Sequence, residues 1–152
     1  MSLLPLFQWL GRTAVGVFMQ QSTYAFAVVE MIHLLSLAIL GGVILIIDLR
    51  VLGLGVKSQT ANGLAQQLKP FLLGSLGVSA VSGVLLLSEE TIKCYYSPAF
   101  RAKMLFLALA VLFYFVVQER LFRSQLHAKW ASVVSLLLWL SVGLAGRAIG
   151  FL

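Results

Sequence analysis

The chain has 152 residues, 61% of them hydrophobic and only 11% charged, with a net charge of +6. Soluble domains carry about 45–50% apolar and about 25% charged residues, so this chain has too little polar surface to close a core in water. Its basic residues sit at the ends of apolar runs, where they meet lipid headgroups, which argues against a nucleic-acid interface.

The first segment is "LLPLFQWLGRTAVGVFMQQ". It lacks the basic start of a cleavable signal peptide, since its first charge is Arg12. Pro5, Trp9 and Arg12 suit a helix lying in the membrane interface over about residues 3–19, with Phe7, Leu10 and Phe18 turned to lipid. The same residues could instead lengthen the first span backwards. Four nearly uncharged runs follow, over residues 24–47, 71–88, 102–118 and 130–152. A helix needs about 20 apolar residues to cross the hydrocarbon, and a backbone in lipid must bond to itself. The runs are continuous and do not alternate, which excludes a β-barrel. The fold expected is all-α: one transmembrane domain over residues 1–152, an integral membrane four-helix bundle with an N-terminal interfacial helix.

Between the first two spans lies "DLRVLGLGVKSQTANGLAQQLKP", with room for a short helix around Ala61–Leu68. Between the second and third lies "SEETIKCYYSPAFRAK", whose Tyr95 and Tyr96 fit an interfacial aromatic belt. Between the third and fourth lies "ERLFRSQLHAKW", where His127 reads as solvated. Arg50, Lys57, Lys69, Arg120, Arg123 and Lys129 fall on one side of the membrane. Arg12, Lys93, Arg101, Lys103 and Arg147 fall on the other. Positive charge favours the cytoplasm, so both termini are expected outside. Cys94 is the only cysteine, so the chain can form no internal disulfide and no cysteine-built metal site. Glycines recur on the first, second and fourth spans, at Gly41, Gly42, Gly74, Gly77, Gly83, Gly143, Gly146 and Gly150. Most are expected where helices pack closely.

Ionisable residues inside spans mark function by default. Glu30 and His33 are three apart, so they share a helix face, with His33 roughly 13 Å below the start of the helix. Lys103 opens the third span on the same side, and Arg147 closes the fourth. Trp139, Gly143 and Arg147 form one stripe. If these faces meet, Glu30 balances Lys103 or Arg147, and His33 sits beneath them. Each residue also has a plainer reading. Lys103 can snorkel to headgroups, and Arg147 can anchor a terminus. Glu30 with Arg147 can be a structural ion pair, and His33 can be a core histidine bonded to a hydroxyl. Asp48 and Arg50 read as the polar end of the first span.

Four chemistries could use the cluster. A buried neutral imidazole can ligate haem iron, with a basic pair at the propionates and Phe106, Phe113, Phe115 and Trp139 against the ring. With two histidines on opposite sides, the iron would be five-coordinate or take Lys103, Met31 or Met104. A His and a carboxylate could instead hydrogen-bond a quinone. The charges could line an ion or proton path, or they could be structural. One His and one Glu are too few ligands for zinc or copper.

Three pieces carry a resemblance to a group of small bacterial four-helix membrane proteins. They are "HLLSLAILGG" with "DLRVLG", "FRAKMLFLALAVL", and "SLLLWLSVGLAGRAIGF". The group includes the CopD copper-resistance domain, the HemJ-type protoporphyrinogen oxidases and uncharacterised families, and the third piece resembles the uncharacterised members. The resemblance implies a bacterial inner-membrane location, haem b on His33 and an essential role for Lys103. The chain departs from the HemJ-like pattern at Asp48-Leu49-Arg50, which stands in place of Leu-Pro-Arg. It departs again at Tyr114, which is not followed by a histidine.

The functional expectation is an integral membrane protein that binds haem b on His33, with Glu30, Lys103, Arg147 and Trp139 around the site. Its role would be electron transfer or oxidoreductase-like chemistry. Quinone binding, an ion path and a structural subunit are the alternatives. The expected partners are the lipid bilayer, a redox partner or larger membrane complex, and a second copy of the chain, with no nucleic acid.

Overall fold

The computed structural model describes residues 4–55, 58–118 and 125–149. Lys57, Arg120, Arg123 and Gly150 lie outside the described residues, as do residue 3 and residues 151–152 at the ends of the expected helices; so does the side chain of His127. Every regular element among the described residues is helical. In chain order they are α1 (Leu4–Arg12), α2 (Ala14–Gln21), α3 (Thr23–Val51), α4 (Ala61–Glu89), α5 (Thr91–Tyr96) and α6 (Pro98–Leu112). A π-helical stretch (Phe113–Gln118) continues α6, and α7 (Gln125–Ile149) closes the chain. Four stretches are long and apolar enough to cross a membrane: Thr23–Val51, Ala61–Glu89, Pro98–Val116 and Ala128–Ala148.

Short polar side chains set the helix starts. Ser22 accepts from the Ala25 N–H at 3.2 Å, Thr60 from the Gly63 N–H at 3.2 Å, and Ser97 from the Phe100 N–H at 3.3 Å. Each supplies an acceptor to a first-turn N–H that the helix leaves unbonded. Pro98 follows Ser97 at the first position of α6, where its missing N–H costs nothing. After α3 the chain turns through Gly53 (φ 85°) and Gly55 (φ 96°), a backbone region that side chains disfavour.

The N-terminal segment forms two helices where the sequence suggests one. Thr13 breaks it by donating to the Leu10 carbonyl at 2.7 Å and accepting from the Gly16 N–H at 3.1 Å. A Cβ at Gly16 would stand 2.6 Å from the Leu10 carbonyl oxygen, so the turn needs glycine there. Phe7 does not face outward. It packs edge-on against Tyr95 (5.4 Å between ring centroids) and Phe100 (6.2 Å), which seats α1 on α5 and α6. Gln20 of α2 bonds the Ser88 carbonyl at 3.2 Å and so ties α2 to the end of α4. Phe18 does face outward.

The spans form a ring. α3 packs along α4 and α7, and α6 packs along α7, while α4 and α6 share no extended contact. At one end α1, α2 and α5 bridge α4 and α6. The interior is unusual for a soluble protein. Beside an apolar cluster of Leu40, Val43, Ile44, Ile47 and Leu72, the buried set includes Ser36, Ser75, Ser79, Ser82, Ser132 and Ser135. Large residues such as Leu35, Ile39, Val81, Leu137 and Leu144 face outward. Lipid tails are as apolar as leucine, so the spans gain little by burying leucine and gain more from small groups that pack closely and bond.

Candidate functional site

Near the α1–α2 end, α3 carries His33 into the interior, where 8% of it is exposed. Its Nδ1 lies 2.9 Å from Ser82 Oγ on α4. Two neighbouring features let the ring come that close. Ser36, one turn further along α3, donates to the His33 carbonyl at 2.8 Å. Gly83 lies against the ring, and a Cβ there would stand 3.3 Å from His33 Cε1, tighter than most packed contacts.

The donors at this contact can be counted. Ser82 has one hydroxyl hydrogen, and its Oγ is 2.6 Å from the Val78 carbonyl and 3.3 Å from the Ser79 carbonyl. Carbonyls only accept, so the hydrogen is committed to the α4 backbone. Ser82 Oγ therefore accepts from His33, Nδ1 carries the imidazole proton, and Nε2 keeps its lone pair. In its neutral form the imidazole is thus oriented by a second residue, with one basic nitrogen to offer.

Lys103 on α6 is the charged side chain near enough to act on His33 electrostatically. It is half-buried and lies across α7. A Cβ at Gly146 would stand 3.6 Å from its Cε and 3.7 Å from its Nζ. His33 and Lys103 thus belong to helices on opposite corners of the ring. Cys94, buried on α5, is close to Lys103 as well, and burial, with Glu90 next in weight, pushes its thiol up.

The remaining expected residues lie apart from this pair. Glu30 is exposed and makes no hydrogen bond or ion pair among the described residues, and its charged neighbour is Glu89. The face it shares with His33 in the sequence pattern therefore straddles the boundary between interior and exterior. Arg147 is exposed at the end of α7. Trp139 is partly buried against the Leu40–Ile47 cluster. Met31 and Met104 are exposed, so neither is placed as a companion to His33. Asp48 is completely buried near the opposite end of α3.

Sequence reasoning missed Ser82 as a contact residue. The signal was present in "SLGVSAVSG", where Ser75, Ser79 and Ser82 recur at helical spacing and mark the polar face of α4. The glycines expected at contacts divide sharply. Gly83 and Gly146 meet side chains, whereas Gly41, Gly42, Gly74, Gly77 and Gly143 have nothing near their Cβ positions.

As for haem, the residues present fit one axial position. His33 would supply the nitrogen, and the Ser82 hydroxyl 2.9 Å from Nδ1 would orient it. No group of three or more metal-ligating side chains occurs among the described residues, so the site does not suit a bare metal ion.

A family model described as a family of unknown function, DUF6644, matches residues 6–152. No curated protein and no solved structure matches the chain. The likeness to CopD and HemJ-type proteins therefore rests on the three sequence pieces alone.

Proposed function

The chain belongs to the DUF6644 family of unknown function, and from its own geometry we propose that it is an integral membrane protein that binds haem b through Nε2 of His33. The observation that carries this reading is the donor count at Ser82. It puts a proton on Nδ1, so that the neutral form of His33 carries its lone pair on Nε2, the state an iron ligand needs. Haem would supply one-electron chemistry. The chain would supply the axial nitrogen, its orientation and an apolar surround. The role that follows is electron transfer, to a redox partner or within a larger membrane complex.

The same count weighs against a quinone held by His33. Quinone carbonyls need a donor, and Nε2 is an acceptor. An ion path fits less well too. The hydroxyls of Ser36, Ser75, Ser79 and Ser82 bond back to carbonyls of their own helices. Between His33 and Asp48 stands the apolar cluster of Leu40, Val43, Ile44, Ile47 and Leu72. A structural ion pair through Glu30 has no counterpart among the described residues.

The test is an oxidised and dithionite-reduced absorption spectrum of the detergent-purified protein from haem-replete cells, with His33→Ala alongside. A near-stoichiometric Soret band that is lost in the variant supports the reading. A colourless wild-type protein sinks it.

A further inference from the structure

Lys103 is the one ionisable side chain beside His33 whose charge the described residues leave unanswered. It makes no hydrogen bond and no ion pair with any of them. The carboxylates lie elsewhere. Glu90 is 3.3 Å from Lys93, Glu89 stands beside Glu90 and Glu30, and Asp48 is buried near the far end of α3. An ammonium in a membrane span is costly unless it is paired or reaches the headgroups. Lys103 lies against the neighbouring helix, its Cδ, Cε and Nζ in ordinary van der Waals reach, 3.6–3.8 Å, of the Cβ position of Gly146. The bare backbone there leaves the stem unhindered, with the amine within electrostatic reach of His33.

We propose that Lys103 binds the acidic group of an amphipathic ligand, a carboxylate or a phosphate, at the α1–α2 end of the bundle. This deepens the His33 reading without depending on all of it. If the ligand is haem, the acid is a propionate. If it is a lipid, the acid is the headgroup phosphate. The chemistry is the same in both cases, a charge-assisted hydrogen bond donated by an ammonium that has no partner among the described residues.

The experiment has two arms. In the first, the full chain is purified without haem and titrated with haem b and with haem b dimethyl ester, whose propionates are blocked. Wild type should prefer the acid by about tenfold, the effect of one such pair. Lys103→Met and Gly146→Leu should abolish the preference, the second by displacing the stem while keeping the charge. Lys103→Arg should retain it and so controls for folding. In the second arm, thermal unfolding is compared in phosphatidylglycerol and phosphatidylcholine nanodiscs, and the lipid source predicts a phosphatidylglycerol stabilisation that Lys103→Met removes. If neither haem form binds but this second effect is seen, the haem reading falls and the acid-binding role of Lys103 stands. If Lys103→Met changes neither the ester preference nor the lipid dependence, the proposal is overturned and Lys103 is a packing residue.

Discussion

His33 on α3 and Ser82 on α4 meet at 2.9 Å, in a contact whose proton arrangement follows from the Ser82 hydroxyl's second neighbour, the Val78 carbonyl. Ser82 gives its hydrogen to Val78 at 2.6 Å and receives the proton on His33 Nδ1. The packing of two membrane helices thereby decides which imidazole nitrogen can bind a ligand.

Replacing Ser82 by Ala removes that acceptor and leaves the His33 N–H with the Ser79 backbone alone. The loss of one buried hydrogen bond should lower thermal stability in detergent by about 1–3 kcal/mol. If His33 holds haem, affinity should also fall by roughly 10–100-fold, as it does when a group that orients a ligand histidine is removed. Thermal unfolding and a haem titration on the same sample check both. A variant with unchanged stability and unchanged affinity would refute the donor count.

Gly83 and Gly77 lie six residues apart on α4, yet they should respond oppositely to an added side chain. At Gly83 a Cβ would stand 3.3 Å from His33 Cε1, so the ring or the helix must move. Gly83→Val should cost about 1–3 kcal/mol by overpacking and should weaken any ligand held on His33. At Gly77 a Cβ meets nothing within 4 Å. Gly77→Ala should be neutral or should stabilise by up to about 1 kcal/mol, because alanine is the better helix former. Unfolding curves of the two variants, run side by side in one detergent, decide the matter.

The four spans and the all-α class were legible in the chain because the runs over residues 24–47, 71–88, 102–118 and 130–152 hold only Glu30, Lys103 and Arg147 as charges, so that only helices in lipid suit them. Boundaries were less legible. The apolar run of the second span begins near Phe71, yet α4 starts at Ala61, because Thr60 caps it and the helix carries on through Pro70. That His33 and Lys103 both lie towards the α1–α2 end was legible from their places in the first and third apolar runs. Glu30 was not, because a three-residue spacing shows that two side chains share a face but not where the protein's edge cuts it. Ser82 was hidden for a related reason. Serines and glycines in a span look alike whether they face a neighbour or lipid, and only the helix rotation separates Gly83 from Gly77.

Cys94 should be a slow thiol. It is 9% exposed, and burial, with Glu90 after it, lifts its pKa above the ordinary 9.0. Alkylation by iodoacetamide should be slower than for free cysteine at every pH, and its rate should still be climbing above pH 9.0, where a free thiol levels off. The sign for stability follows. The fold favours the protonated thiol, so this contribution is complete below the unfolded-state value and is lost as pH rises through the folded one. Cys94→Ser should therefore flatten the alkaline limb of the stability profile. A labelling rate equal to that of free cysteine would refute the burial.

Ser132 and Ser135 lie one turn apart on α7, completely buried, and neither hydroxyl has a hydrogen-bond partner among the described residues. A buried hydroxyl without a partner is a cost to the fold, and replacing it by a methyl group removes that cost. Ser132→Ala and Ser135→Ala should each be neutral or should stabilise by about 1 kcal/mol, against the usual trend for buried substitutions. The contrast with Ser82→Ala is the useful part. All three are serine-to-alanine changes at buried positions in spans, and only Ser82 has a side chain from another helix bonded to it. Thermal unfolding of the three variants in one detergent separates them. If Ser132→Ala or Ser135→Ala destabilises as much as Ser82→Ala, the α7 hydroxyls are held by an ordered water or ligand in the bundle, and that half of the interior is a second polar site.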